Sequence, residues 1–222
     1  MGVVATWCDV APEAKDEFYE WHSREHMPER VGIPGFRRGR RFLAVTGGPE
    51  FFILYEADSP EVLGGVDYLN RLHAPTEWTK RILPSFRNAT RSICRVSFTS
   101  GVGSGGVMLT SRFDIDATHR TGTIEALTRR ILPPLAQRPG IAGVHLCLAD
   151  GMQSGGESAP PNADGATAGP GWVVLVEGNS VGDVRAAHEA LAPGLQAHHA
   201  LSFNVAIYRH ELTRLKTPWS AG

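Results

Sequence analysis

Two imidazoles stand four residues apart in a helix-forming stretch, His22 and His26, with Tyr19 three residues before them and Arg30 four residues after. Spacings of three and four place side chains on one helical face. The stripe therefore presents a phenol, two titratable rings and a guanidinium to a common neighbour. Partial burial lowers an imidazole pKa and a nearby carboxylate raises it, so either ring can carry a proton near neutral pH. An adjacent arginine suits a developing oxyanion. Glu25 sits beside the stripe, and Phe18 and Trp21 flank it as apolar wall. The same residues, His22-Ser23-Arg24-Glu25-His26, also spell an H-x-x-E-H string. In inverzincin peptidases two such histidines bind zinc, the Glu is general base and a distal acid completes the site. Here Glu56, Glu61 and Glu77 are available and nothing singles one out. The plainest alternative is that inward histidines are satisfied core residues. Two of them, with Tyr and Arg on the same stripe, ask for a polar cavity instead.

The chain supplies its own control for the direction of that stripe. Residues 3–36 lie over residues 108–141 at a constant offset of 105, with Pro28 on Pro133 and Pro34-Gly35-Phe36 on Pro139-Gly140-Ile141. Further on, Ser59 matches Ser180 at an offset of 121, so the second copy carries 16 extra residues inside the Gly/Ser/Pro-rich stretch 152–169. In the second copy the stripe reads Ile124, Leu127, Ile131 and Leu135, which must face a sheet. Subtracting the offset turns Tyr19, His22, His26 and Arg30 inward. Where only one copy carries a polar group, function is the question to ask.

Each half reads strand, helix, strand, strand, helix, strand. The first has an apolar strand at 3–10, a helix over 13–30, strands Phe36–Thr46 and Phe51–Ala57, a helix from Ser59 to about Leu72, an irregular bridge at 73–86 and a strand near 91–99. A βαββαβ unit folds as an antiparallel sheet with both helices on one face, and its other face needs a cover. The expected fold is α+β: two ferredoxin-like repeats fused in one chain, their sheets packed face to face as a pseudo-dimeric α/β barrel. The expected organisation is a first repeat at 1–99 with the histidine site, a Gly/Ser linker at 100–106, and a degenerate second repeat at 107–212. An insertion loop is expected at 151–170 and a tail at 213–222.

A net charge of −1 offers no bulk attraction to nucleic acid or anionic lipid. The single cysteines Cys8, Cys94 and Cys147 read as small buried hydrophobes in a reducing, cytoplasmic setting. No apolar run reaches membrane-spanning length. Arg37-Arg38-Gly39-Arg40-Arg41 reads as a solvated strand edge guarded by charge, with one arginine at the pocket mouth. His73, Trp78 and Tyr68 lie in or near the bridge, where a lid would sit. Trp7 lies on the first strand, where both alternations are apolar. His198-His199 complements a helix dipole.

Glu17-Phe18, Trp21, His26-x-Pro28 and Pro34-Gly35-Phe36 followed by a strand resemble the opening of EthD-type proteins of the dimeric α/β-barrel superfamily. The resemblance covers about 30 residues by motif and both halves by expected topology. It implies a small-molecule pocket between helices and sheet, with His26 as the motif histidine. His22 stands where EthD-like sequences usually have an aromatic residue, and Ile131 stands where the second half would need its histidine, so one pocket is expected. The leading expectation is a cofactor-free acid/base enzyme, of lyase, isomerase or cyclase type, acting on a small, largely apolar carbonyl, lactone or phenol. His26 is then the acid/base, His22 shares the proton or orients substrate, and Arg30 steadies the oxyanion. Tyr19, Trp21, Phe18, Glu25, His73, Trp78, Tyr68 and Trp7 contribute to substrate binding. The alternatives are a metal site on His22 and His26, haem with either as axial ligand, and a stress-response binding module without chemistry. The partner is a small molecule, with no nucleic acid or membrane, and pairing of two pseudo-dimers is allowed.

Overall fold

The computed structural model describes residues 1–149, 167–198 and 200–216. Most of the expected insertion loop, the tail from residue 217 with Trp219, and His199 therefore lie outside the described residues. The first half contributes β1 (Gly2–Val10), β2 (Phe36–Thr46), β3 (Phe51–Ala57) and β4 (Phe86–Gly101), in the order β2-β3-β1-β4. The second contributes β5 (Val107–Asp114), β6 (Ile141–Ala149), β8 (Trp172–Gly178) and β9 (Leu201–Leu215), in the order β9-β5-β8-β6. Between β6 and β8, the two-residue β7 (Thr167–Ala168) pairs in parallel with β4. β2 pairs with β9 and β4 with β6, both antiparallel, which closes eight strands into a barrel. The expected face-to-face packing of two separate sheets is corrected accordingly: the outer strands of the two halves hydrogen-bond, and the apolar faces become one lumen. Closure removes four edges that would otherwise stay unpaired.

Both faces of the barrel are covered, so its strands read as nearly continuous apolar runs. Val3, Ala5 and Trp7 of β1 point into the lumen with Phe42, Phe52, Leu54, Met108 and Tyr208. Val4, Cys8 and Val10 of the same strand face the first helical layer, with Phe18, Trp21, Phe51 and Tyr55. A third cluster joins Leu109 and Val174 to Leu127, Leu135 and Leu191 of the second helical layer. The doubt over Trp7 is thereby resolved in favour of the lumen, on the opposite side of β1 from the histidines.

The first helical arm is α1 (Lys15–Trp21), a π-turn (His22–His26) and α2 (Met27–Gly32). In the other half, between β5 and β6, α5 (Arg120–Ala126) passes through a π-turn (Leu127–Ile131) into α6 (Leu132–Ala136). The two π-turns coincide at the offset of 105, so the widened turn belongs to the fold and not to the histidines. Pro28 and Pro133 follow them. A proline inside a helix lacks the N–H and crowds the carbonyl four residues back, and one extra residue in the turn relieves both problems.

Between β3 and β4 stand α3 (Val66–His73) and α4 (Glu77–Ile82). The stretch expected to be irregular thus carries a helix, capped where Thr76 Oγ1 accepts from Thr79 N at 3.0 Å. α7 (Val181–Ala197) occupies the corresponding place in the second half and is capped by Ser180. Among the described residues no helix is long and apolar enough to cross a membrane.

The arginine run also needs correcting. β2 is paired on both sides, and Arg40 and Arg41 are buried. Arg40 grips Glu177 with both terminal nitrogens, at 2.8 and 3.0 Å, and meets Glu56 at 2.9 Å. Arg41 pairs with Glu211 at 3.0 Å.

Candidate functional site

The stripe does face inward, but its two histidines differ. His22 is fully buried: Arg41 Nη1 donates to Nδ1 at 3.2 Å, and Nε2 lies 3.3 Å from the Tyr55 hydroxyl. With Nδ1 accepting, Nε2 carries the proton and donates to Tyr55. Phe18 stacks on the ring at 5.3 Å. Burial, helped by the Arg41 charge, holds its pKa well below the usual histidine value. Both nitrogens of the neutral His22 ring are therefore engaged by neighbouring side chains.

His26 has no partner for Nδ1; its closest carboxylate oxygen, Glu29 Oε2, is 4.0 Å away. Trp21 lies 4.4 Å from the ring, held by its indole N–H donating to Thr79 Oγ1 at 3.1 Å. Burial lowers the His26 pKa well below the ordinary value, and the positive charges of Arg30 and Arg91 add to the effect. At neutral pH the ring is unprotonated and one lone pair is unclaimed.

That ring lines a cavity of about 40 Å³ together with Arg30, Tyr55, Tyr68, Arg91 and Thr6. Arg30 is buried, and its Nη1 has no hydrogen-bond partner. The lining sets two guanidiniums and two phenols against the hydrocarbon of Val4 and Phe36. Burial raises the Tyr55 pKa, keeping its hydroxyl protonated as a donor. The cavity is far below the ~300–1,000 Å³ of ordinary ligand pockets and suits a water or a small headgroup. Beside it, an open groove of about 640 Å³ runs past Arg24, Glu25, Glu29, Asp67 and Arg71. α3 divides the two: Tyr68 faces the cavity, while Asp67 and Arg71 face the groove. Glu29 is the other divider, 3.6 Å from Arg71, and burial raises its pKa.

The remaining expected residues scatter. Tyr19 packs under Arg41 and donates to Glu211 at 3.2 Å, away from the cavity lining. Phe18 is core. Glu25 accepts from Thr76 Oγ1 at 2.5 Å and belongs to the groove. Trp78 donates to Glu17 at 3.1 Å, and His73 ends α3 exposed to solvent. Trp7 is in the lumen. Tyr55, Arg91 and Glu29 were not anticipated, and Arg41 only as a member of the arginine run. Tyr55 was findable, since at the offset of 121 it stands over Val176.

A metal does not fit this arrangement. His22 has spent both nitrogens, Glu56 sits on the lumen side with Arg40, and Glu61 and Glu77 pair with Arg95 and Lys80. Among the described residues no three metal-binding side chains cluster. A haem fits no better, because the space beside His26 is too small for a macrocycle.

No protein-family model matches the chain, and no curated protein matches its sequence. Solved structures do match over its full length. An anthrone oxidase-like protein aligns with a TM-score of 0.67 at 13% identity, over 100% of this chain and 95% of that one. A monooxygenase-like protein from Lactobacillus acidophilus gives 0.61 at 7% identity, over 97% and 96%. A chlorite dismutase variant from Candidatus Nitrospira defluvii gives 0.59 at 9%, over 95% and 91%. Identities this low carry the fold alone, and that fold is the dimeric α/β barrel.

Proposed function

We propose that the chain is a cofactor-free proton-transfer enzyme acting on a small carbonyl, lactone or phenol, with His26 as general base. One observation carries the reading: a neutral imidazole with an unclaimed Nδ1 shares a cavity with the unpartnered Nη1 of Arg30. Removing a proton from the carbon beside a carbonyl, or from a phenol, leaves negative charge on oxygen. Arg30 and Arg91, with the Tyr55 and Tyr68 hydroxyls, are placed to hold that oxygen. His22 acts through Tyr55, fixing the direction of its hydroxyl. Substrate enters from the groove, and Tyr68 swings aside so that its reactive end reaches the cavity. Lyase, isomerase and cyclase chemistry all begin with this proton. So does oxidation of an acidic carbon, which the name of the anthrone oxidase-like neighbour brings into range.

The same reading takes residues 1–99 and 107–212 as ferredoxin-like repeats of one EthD-like unit, joined by 100–106. The repeated strand order and the coincident π-turns support it. The second repeat, with Leu127 and Ile131 in place of the histidines, has kept the fold and lost the site.

The test is solvent-deuterium incorporation, followed by mass spectrometry, across a panel of 1,3-dicarbonyls, lactones and anthrones. Exchange above the buffer rate, lowered about 10²–10⁴-fold in His26→Ala, is expected. No exchange in the wild type, or equal exchange in the variant, refutes the reading. Tight retention of a panel compound without exchange would establish a binding module instead.

A further inference from the structure

In the lumen the two halves differ in the opposite sense, with the polar side chains in the second. Ala5 and Trp7 of β1 correspond to Thr110 and Arg112 of β5 at the offset of 105. Val3 pairs with Cys94, and its counterpart Met108 pairs with Tyr208, so Tyr208 stands where the first half has Cys94. The second half has thus placed three hydrogen-bonding side chains inside the barrel where the first has alanine, tryptophan and cysteine. Arg112 lies with its guanidinium 4.6 Å over the Trp7 ring. Its Nη1 donates to Thr90 at 3.2 Å and its Nη2 to Asn204 at 2.9 Å, which spans the lumen between β4 and β9.

Four groups here are buried without a partner: Arg112 Nε, Trp7 Nε1, Thr110 Oγ1 and the Tyr208 hydroxyl. Trp7, Thr110 and Tyr208 have no exposed surface, and Arg112 retains 7%. All four can donate, and two can only donate. Among the described residues no carboxylate pairs with Arg112. Asp9, two residues along β1, is occupied by Glu50 N at 2.6 Å and Asn88 Nδ2 at 2.7 Å. A guanidinium taken out of water without a counter-charge is strongly unfavourable, and so is each stranded donor. Arg40, at the other end of the lumen, shows the ordinary solution, with Glu56 and Glu177 both against it.

We propose that Trp7, Thr110, Arg112 and Tyr208 form a binding site for a small monoanion inside the barrel, a halide or a small carboxylate. The site lies on the opposite face of β1 from His26.

The full-length protein is melted in sodium bromide and, separately, sodium formate, with ionic strength held constant by sodium gluconate. A saturable rise of roughly 3–6 °C at tenfold above half-saturation is expected for at least one probe. Bromide alone identifies a halide site, formate alone a carboxylate site, and a response to both the shared chemistry. Thr110→Val and Tyr208→Phe keep shape and remove one donor each, and each should cut the shift by half or more; Arg112→Gln should abolish it. Arg30→Met, which alters the other cationic cavity, should leave it intact. A rise that never saturates, or one unchanged in the lumen variants, overturns the proposal. So does a response lost only in Arg30→Met. If Thr110→Val and Tyr208→Phe melt higher than the wild type with neither probe having any effect, the donors are stranded and the site is not there.

Discussion

Replacing each histidine by leucine, the residue type the second half uses at position 127, should separate their roles. His22→Leu strands the Tyr55 hydroxyl, which is buried, and takes one acceptor from Arg41. A stranded buried hydroxyl costs about 1–3 kcal/mol. Arg41 keeps Glu211 and Ser23, so its share is smaller. Leucine returns part of this through apolar burial against Phe18, leaving a net loss of roughly 1–3 kcal/mol. In His26→Leu no partner is abandoned, because Nδ1 has none. The volumes are close, and the expected change stays within about 1 kcal/mol of zero. Urea unfolding followed by circular dichroism, with slopes compared to confirm that the unfolding transition is the same, gives both values. Deuterium exchange should show the reverse order, retained in part by His22→Leu and lost in His26→Leu. If His26→Leu costs as much stability as His22→Leu, His26 is a packed core residue and the proposed base disappears.

Both histidines are held neutral when folded, whereas the unfolded chain takes up protons below about pH 6.5. The unfolded state then binds more protons, so stability should fall as pH drops through 6.5, by at most about 2.7 kcal/mol per pH unit for the pair. A variant with leucine at both positions should flatten that slope in urea titrations between pH 7 and 5. Glu177 behaves at lower pH: its carboxyl is pushed down to about 2 despite burial, by His145 and Arg40, and its contribution is lost as pH falls below the ordinary carboxyl range. Glu177→Gln leaves Arg40 with one acid in place of two, and calorimetry should show a loss of about 1–3 kcal/mol. Tyr68→Ala should open the cavity toward the groove, weakening the selection among panel compounds and lowering, without abolishing, His26-dependent exchange. At Gly35, φ is +85° and an added Cβ would lie 2.6 Å from Val62 Cγ2, so Gly35→Ala should lower the melting temperature even if Val62 shifts.

The inward direction of the stripe was legible because Leu127 and Leu135 reported it from the other half, where no polar group disturbs the pattern. The arginine run misled because edge or interior is decided by the pairing of β2 with β9, about 170 residues apart, and charge alone does not announce it. Buried acids such as Glu177 make Arg40 tolerable, and that pairing is invisible along the chain. Trp7 was ambiguous for a physical reason: β1 is apolar on both faces because one meets helices and the other a lumen. The two histidines looked equivalent by spacing. They differ because Arg41 and Tyr55, from two different strands, hydrogen-bond His22 and not His26. Tyr55 could have been found by the same subtraction that found the histidines, whereas Arg91 stands over Val205 only once the strand pairing is known, opposite Thr6 as Val205 is opposite Ser111.

The decisive measurement is a pH titration of the imidazole Cε1 resonances in ¹³C-histidine protein, assigned with His22→Leu and His26→Leu. The His26 signal should titrate well below 6.5 and shift when a phenolate or 1,3-dicarbonyl probe is added, while the His22 signal stays fixed. A His26 signal that titrates at 6.5 or above, indifferent to every probe, would contradict the assignment of a neutral base facing a cationic cavity.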